Sequence, residues 1–514
     1  MRLRAGVLAV ALFLGVLAPA GPAHAVTATG FVYRNGSTLM LDGLSYQFVG
    51  FNAYGMAGCA TGSAWTAGQM DAYFAGLPPL SMTRVWAFAP SLSPVTTTAL
   101  DLIVAKAAAH RQKVIFSLAD GPSNCEKDGA NNPAVNDSGK TRAWYQTGYQ
   151  TVYLPWVAQV AQRYSTSPAV GMWEIMNEPG HRTSIASADK PAFLTEMRSF
   201  FDTVAAAIKN ADPNHLVESG TLAEYTNGTT DYAYVHGGPN VDVGSLHEYD
   251  YDYDGNSDGV LDRAIVSPHL APTRTAMQSI DKPLIIGESG VKAGAGTCSA
   301  TNYSTGAVIT YTTDVATRAG AILQKFDSYL TQSGVSGVLV WNRSLADPTG
   351  CGLAVGPSDP AIAAITGYLP PGSWSAAPTG QVRIQARNSG KCLDVSGHSL
   401  ADGAALQQYT CWTGLNQKFT FAAANTYYYR VQGVESGKCL DAQTAAENTQ
   451  VVQWTCGSGG SQSFRLVPTG DGYLRLVEAA TARCLTIAGV STADAARLVL
   501  SDCTDLTHQQ FSFV

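Results

Sequence analysis

Short apolar runs rich in β-branched residues alternate with longer segments of helical period through the first two-thirds of the chain. The runs Gln47–Asn52, Thr83–Phe88, Lys113–Leu118, Gly171–Asn177, Leu216–Gly220, Val243–His247, Pro283–Gly287 and Gly337–Trp341 read as strands. Helical patterns fall between several of them, at Val95–Arg111, Trp144–Tyr164, Pro191–Lys209, Pro272–Ile280 and Tyr311–Gln332. Near-continuous apolar strands separated by helices mark an α/β protein with a parallel sheet buried on both faces. A doubly wound open sheet fits that alternation. Polar and aromatic residues at the ends of many strands favour instead a closed (β/α)8 TIM barrel.

The pattern changes after the segment Leu369-Pro-Pro-Gly-Ser-Trp-Ser-Ala-Ala-Pro-Thr-Gly380, whose composition predicts a linker at 369–380. Beyond it the chain repeats itself. Lys391-Cys-Leu-Asp394, Lys438-Cys-Leu-Asp441 and Arg483-Cys-Leu-Thr486 recur roughly every 46 residues, and each is followed by a second Cys and a Gln-x-Phe element. Three copies of one unit, none able to bury its apolar face alone, predict an all-β domain over 381–514. Pairing the two Cys within each copy gives Cys392–Cys411, Cys439–Cys456 and Cys484–Cys503 as the simplest disulfides.

The N-terminus predicts a secretory signal over 1–25. Arg2 and Arg4 precede an apolar run too short for a membrane span, and Ala23-His24-Ala25 fits a cleavage site. Export would suit the even count of 10 Cys, none in a CxxC pair. A formal charge of −7 without a basic block argues against nucleic acid or anionic membrane as partner. The expected product is a secreted, extracellular monomer with a neutral ligand and no membrane attachment after cleavage.

Two carboxylates carry the candidate chemistry of the 26–368 domain. In Gly171-Met-Trp-Glu-Ile-Met-Asn-Glu-Pro179 an apolar strand runs into Asn177 and Glu178 and is stopped by Pro179, which cannot extend a ladder. In Pro283-Leu-Ile-Ile-Gly-Glu-Ser-Gly290 a second buried strand ends at Glu288. Both fall at the carboxyl ends of strands, where barrels build active sites. A pair of acids on one face is what glycosidic cleavage requires. Parity puts Glu174 one layer below Glu178, as a structural acid. Glu218 and Glu224 read as cleft or surface charges, His181 as a loop residue, and Trp65, Trp86 and Trp144 as core aromatics or sugar platforms, Trp86 being the best placed.

Trp173-Glu-Ile-Met-Asn-Glu-Pro179 and Gly287-Glu288 resemble the fourth- and seventh-strand signatures of glycoside hydrolase family 5, in clan A. Val49-Gly-Phe-Asn-Ala-Tyr54, Thr83-Arg-Val-Trp-Ala-Phe88, Ser245-Leu-His-Glu-Tyr249 and Val338-Leu-Val-Trp341 resemble strands one, two, six and eight of its β-mannanase branch. The resemblance implies a retaining endo-β-glycanase, β-1,4-mannan preferred, needing no cofactor. It makes Glu178 the acid/base, Glu288 the nucleophile, Asn177 a donor to the sugar 2-hydroxyl, and Arg84 and Tyr249 partners of the nucleophile. His247, Tyr54 and Trp86 would line the cleft, and Trp341 would floor it. Two positions depart from the family: the third strand has no His, leaving Ser117 or Asp120 in that place, and Tyr54 is followed by Gly55 where an aromatic pair is common. An exo-acting or transglycosylating enzyme, or an inactive carbohydrate-binding barrel, are the alternatives. Cys59, Cys125, Cys298 and Cys351 all follow candidate strands, and pairs Cys59–Cys125 and Cys298–Cys351 would brace rim loops.

Asp254, Asn256, Asp258 and Asp262 match ligand positions of a calcium loop, with Gly259 at the turn, although Ile265 replaces the bidentate acid. A plain Asp-Gly turn is the competing reading. The C-terminal repeats resemble the ricin B-type lectins, carbohydrate-binding module family 13, which implies a β-trefoil. Asp394, Gln407, Tyr409, Asn416 and Gln417 match the sugar-site pattern in the first repeat. Asp441 and Trp454 persist in the second, where Val452 and Ser461 replace amides. Thr486 and Leu500 replace acid and aromatic in the third. The partners implied are a polysaccharide substrate for the barrel and a carbohydrate ligand for the lectin.

Overall fold

The computed structural model describes residues 30–514 except 43, 60–61, 78–79, 127–134, 137–138, 181–187, 224–228, 255–259, 302–305, 331–334, 369–374, 425–427, 445, 470–471, 482 and 505. The predicted signal, His181, Glu224, Asn256 and Asp258 lie outside the described residues, as does the first half of the predicted linker. Asp254 and Asp262 are described, and the backbone N–H of Asp262 donates to the Tyr253 carbonyl at 2.8 Å.

The first domain alternates strand and helix eight times: β1 Phe48–Asn52, α1 Ala67–Ala75, β2 Met82–Trp86, α2 Thr97–Ala109, β3 Lys113–Ser117, α3 Tyr153–Tyr164, β4 Val170–Glu174, α4 Lys190–Ala211, β5 Leu216–Glu218, α5 Thr229–His236, β6 Gly244–Glu248, α6 Leu270–Ser279, β7 Leu284–Ser289, α7 Val315–Leu330, β8 Val335–Trp341 and α8 Pro360–Thr366. The strands form one parallel sheet in the order β5-β4-β3-β2-β1-β8-β7-β6. A parallel bridge between Glu218 and Val243 joins its two edges and closes the barrel.

Strand parity sorts the side chains into layers. Phe48, Met82, Ile115, Met172, Leu216, Ile285 and Leu339 form an apolar cluster inside the amino-terminal end of the barrel. Val32, Leu39 and Leu41, from a small antiparallel sheet ahead of β1, cap that cluster. Two residues further along four of these strands stand Arg84, Ser117, Glu174 and Glu218, all buried. The opposite parity, including Val49, Phe51, Val85, Phe116, Trp173, Leu246, Ile286 and Val338, packs outward into the main core with the helices. The oily plug thus holds a polar layer at mid-barrel, and the catalytic-end residues sit above it.

Several element bounds differ from the sequence reading. The expected Trp144–Tyr164 helix is broken into Arg142–Gln146, a short 3-10 turn at Gly148–Gln150, and α3. Gly148 within a Thr-rich stretch gives little helical propensity to bridge the gap. The start of the expected Tyr311–Gln332 helix is instead strand: Val308–Tyr311 pairs with Cys298–Thr301.

The second domain is antiparallel β throughout. Its first strand, Ile384–Ala386, pairs with its last, Phe511–Phe513. The three repeats contribute equivalent residues to one core, including Leu393, Leu440 and Leu485 after the first Cys and Phe419, Phe464 and Phe511 from the Gln-x-Phe elements. This is the β-trefoil. All ten Cys are paired, as Cys59–Cys125, Cys298–Cys351, Cys392–Cys411, Cys439–Cys456 and Cys484–Cys503. Among the described residues no helix is long and apolar enough to cross a membrane.

Candidate active site

Arg84 is the hub of the barrel's carboxyl-terminal end. Its side chain is fully buried. Nη1 donates to Glu288 Oε1 at 2.7 Å and to Asn52 Oδ1 at 2.8 Å. Nη2 donates to Glu174 Oε1 and Asn177 Oδ1, each at 2.7 Å, while Nε donates to Glu174 Oε2. Four residues from three strand segments, β1, β4 and β7, are fixed by one planar, permanently charged fork. Burial alone would raise the Glu174 carboxyl, but the charge and hydrogen bonds of Arg84 hold it below its ordinary value. Glu174 therefore anchors Arg84 from below, 1% exposed.

Glu218 is placed differently from the sequence reading. It is neither a cleft nor a surface charge but fully buried beside Glu174, its strand neighbour in β4. Burial first, and the Glu174 charge second, push its carboxyl well above the ordinary value. A protonated Glu218 leaves Arg84 facing two carboxylates rather than three.

Glu178 and Glu288 face each other at this end. The closest ligand atoms of Glu178, His247 and Glu288 all lie within 4.8 Å of one another. The Glu288 carboxylate accepts from Arg84 on Oε1 and from Tyr249 Oη on Oε2 at 2.6 Å. Burial pushes its carboxyl up, Glu178 adds to the rise, and His247, Arg84 and the Tyr249 bond act against it. Tyr249 is held well above its ordinary value, by burial and by the Glu288 charge, so it remains a donor. Nδ1 of His247 lies 3.2 Å from Glu178 Oε1 and 3.6 Å from Glu288 Oε1, linking the two acids. Two carboxylates and an imidazole could in principle ligate a divalent ion. Here both Glu288 oxygens already accept from Arg84 and Tyr249, and the guanidinium supplies the positive charge.

The backbone around Glu178 is unusual. Its φ is +45°, the left-handed region. Its N–H donates to the Gly220 carbonyl at 2.8 Å, and the Asn177 carbonyl accepts from the N–H of Gly121 at 2.8 Å. Both glycines are required by space: a Cβ on Gly121 would stand 2.2 Å from the Glu178 carbonyl oxygen, and one on Gly220 1.9 Å from that of Met176. Side chains at either position would push the catalytic-end turn away from its neighbours.

Asp120, one of the two candidates at the third strand, stands beside Asn177, while Ser117 lies deeper in the buried polar layer. Asp120 Oδ1 accepts from Asn177 Nδ2 at 2.8 Å, and Oδ2 accepts from the Asn124 N–H at 2.5 Å. The Asp120 N–H donates to Glu126, whose carboxylate pairs with Lys140 at 2.5 Å. The Cys59–Cys125 disulfide ties this turn to the segment after β1. Burial pushes the Asp120 carboxyl up to about 6, against the Asn177 and Asn124 hydrogen bonds.

Tyr54 and Trp341 stack at 4.7 Å with 10° between rings and form an aromatic wall. Trp86 lies against both, 4% exposed, so it backs the wall rather than presenting a face. Its indole Nε1 has no hydrogen-bond partner among the described residues. Trp65 and Trp144 are core aromatics, packed on Tyr73 and on Tyr145 and Phe200.

In the first trefoil repeat Asp394 accepts from Gln407 Nε2 at 3.0 Å, Asn416 Nδ2 at 2.8 Å and Gln417 Nε2 at 2.9 Å. Tyr409 is exposed nearby in sequence on the hairpin partner of that strand. In the second, Asp441 accepts from Gln462 at 2.7 Å, its Oδ1 makes no hydrogen bond to a described residue, and Trp454 is exposed. In the third, Thr486 takes the acid's place and accepts from Gln509.

Residues 99–319, which include Glu178 and Glu288, match the family model of cellulase (glycosyl hydrolase family 5), and residues 380–511 match that of the ricin-type beta-trefoil lectin domain. A probable mannan endo-1,4-beta-mannosidase F of Aspergillus flavus is 28% identical over 307 residues, covering 51% of this chain and 61% of that protein. The mannan endo-1,4-beta-mannosidase 1 of Oryza sativa is 26% identical over 311 residues, covering 51% and 68%. The chain thus spans about three-fifths of the first relative's length. A family 5 mannosidase structure from Rhizomucor miehei superposes with a TM-score of 0.50 at 15% identity, covering 66% of this chain and 97% of that one, a likeness of fold.

Proposed function

From a chain that joins a family 5 glycoside hydrolase domain to a ricin-type β-trefoil lectin domain, we propose a secreted retaining endo-β-glycanase acting on β-1,4-mannan. The observation that carries this reading is the pair Glu178 and Glu288, whose facing oxygens lie within 4.8 Å. Retaining pairs sit ~5–5.5 Å apart, inverting pairs ~6.5–9.5 Å, because only in the latter must a water fit between the base carboxylate and the sugar as the glycosidic bond breaks.

The reaction then runs in two displacements. Glu288, held by Arg84 and Tyr249, attacks the anomeric carbon while Glu178 gives its proton to the departing glycosidic oxygen. The cleaved chain leaves with a free hydroxyl, and the sugar remains esterified to Glu288. Glu178, now ionised, takes a proton from water as that water attacks the same carbon and releases Glu288. His247, bonded to Glu178 Oε1, is placed to orient that acid in both roles. Asn177, with Oδ1 committed to Arg84, offers Nδ2 to the sugar 2-hydroxyl. The Tyr54–Trp341 wall suits stacking on a sugar ring. The trefoil would hold the enzyme on polysaccharide through the first repeat and, more weakly, the second.

The test is the purified protein on mannan, glucan, xylan and galactan, with products followed by chain length and by anomeric NMR. An oligosaccharide ladder from mannan whose first-formed reducing end is β supports the reading. A single sugar product means exo action, an α first product means inversion, and either overturns it.

A further inference from the structure

The three trefoil repeats differ at a ring of ion pairs that joins each repeat to a neighbour. In the first, Lys391 Nζ pairs with Asp494 at 2.7 Å, and the Thr410 N–H donates to the same carboxylate at 2.7 Å. In the second, Lys438 pairs with Asp402 at 2.7 Å, and the Thr455 N–H donates to it at 2.7 Å. The pattern is the same: a Lys before the first Cys, a Thr before the second, and an Asp from the adjoining repeat.

The third repeat departs at both positions. Arg483 replaces the Lys and pairs with Glu447 at 2.8 Å. Asp502 stands where Thr410 and Thr455 stand, immediately before the second Cys. Asp502 accepts from Arg483 Nε at 3.1 Å and also from Arg111 Nη1 at 2.7 Å. Arg111 belongs to the barrel, in the turn between α2 and β3. Ala479, Ala480 and Thr481 of the third repeat line one cavity together with Leu77 and Ala108 of the barrel. The same repeat has lost the acid and the aromatic of a sugar site: Thr486 stands for the acid, and the register puts Ser501 at the place of Tyr409 and Trp454, while Leu500, expected there from the sequence, is buried in the core.

We propose that the third repeat has exchanged sugar binding for docking: through Asp502 and Arg483 it seats the trefoil on the barrel's own surface at Arg111, so the two domains move as one body. Arg111 lies two residues before the start of β3 at Lys113, at the amino-terminal end of the barrel strands. Docking there leaves the opposite end, with Glu178 and Glu288, uncovered. The two repeats that keep their acids are then presented at a fixed place relative to the cleft. This inference rests on the fold and the ion network, and it stands whatever glycan the barrel cleaves.

The test uses the full chain in four forms: unchanged, Arg111→Glu, Asp502→Arg and the two combined. Small-angle scattering reads the overall dimensions, and calorimetry reads whether the domains unfold together. Each single variant places like charges at the contact, and is expected to enlarge the radius of gyration and split one unfolding transition into two. The combined variant restores opposite charges and is expected to return both readings toward the unchanged chain. Scattering and unfolding that do not move in Arg111→Glu overturn the proposal, as does a combined variant as extended as the singles. Should Asp502→Arg fail to fold beside its disulfide, Arg111→Glu and Arg111→Ala, both at a half-buried position of a barrel turn away from any disulfide, decide the matter by the same readings.

Discussion

Asp120 and Asn177 are joined by a 2.8 Å hydrogen bond that decides how the Asn177 amide faces. The ionised Asp120 carboxylate offers acceptors alone and the Arg84 guanidinium donors alone, so Nδ2 must point toward the first and Oδ1 toward the second, at 2.7 Å. The amide of Asn177 is thereby held in one of its two orientations, with the second hydrogen of Nδ2 free for a ligand.

This arrangement has a pH dependence with a definite sign. The Asp120 carboxyl is raised from 3.8 to about 6 by burial, so the folded state favours its neutral form. Its contribution to stability is full below the unfolded value and is lost as pH rises from 3.8 through about 6. Asp120→Asn removes that titration, and its stability should lose this decline between those limits in denaturant melts at a series of pH values. The oxygen of the new amide can still accept from Asn177, so kcat should fall less than in Asp120→Ala. Loss of the acceptor in Asp120→Ala should cost about 10-fold or more, from the ~1–3 kcal/mol of an unsatisfied buried group. Equal rates in the two variants would show that the orientation of Asn177 does not matter.

Removing Arg84 should damage the fold as well as the reaction. Arg84→Ala leaves Glu174 and Glu288 buried without their cation, a loss on the order of 3–5 kcal/mol. Urea unfolding reads that loss. Arg84→Lys keeps the charge but cannot reach four acceptors with one fork, so it should recover part of the stability and little of the activity.

Glu288→Ala should reduce hydrolysis of any substrate by on the order of 10⁴-fold or more, the scale seen when a covalent nucleophile is removed. Glu178→Gln should instead spare substrates whose leaving group departs without a proton. The comparison of an activated aryl glycoside with the polysaccharide measures this, and equal loss on both would assign Glu178 no acid role.

Asp394→Ala removes the acceptor for three amide donors and should abolish binding by the first repeat, read as depletion from solution by insoluble polysaccharide. Asp441→Ala should matter less, since among the described residues only Gln462 converges on that acid. Deleting the trefoil should lower action on insoluble polysaccharide and leave turnover of soluble oligosaccharides unchanged, because tethering raises local concentration without touching the chemistry.

The barrel was legible because parallel strands buried on both faces carry long apolar runs, and Pro179 marks where one of them stops. Helix α5, of eight residues, escaped the periodicity reading, and so did α1 and α8, of nine and seven residues. The caps of α1 and α8 were visible all the same: Thr66 and Gln69 form a capping box, and Asp359 caps a helix with Pro360 in its first turn. Glu218 was misread because a strand-end acid looks the same in sequence whether it faces a cleft or the barrel axis. Only the parity that sets it beside Glu174, and the closing bridge to Val243, reveal its burial. The Asp120–Asn177 bond depends on the relative register of β3 and β4, which no local pattern encodes. Asp502 could have been noticed as the odd residue against Thr410 and Thr455, but nothing in the repeat names Arg111 as its partner.

Gly121 and Gly220 set a condition on anyone who would move this chemistry to another scaffold. The acids are easily copied, since a carboxylate can be written into any strand end. The turn that carries Glu178 survives only where two neighbouring strands each bring a residue without a side chain against its carbonyls. A transplanted cleft would have to import those empty spaces together with the residues that surround them.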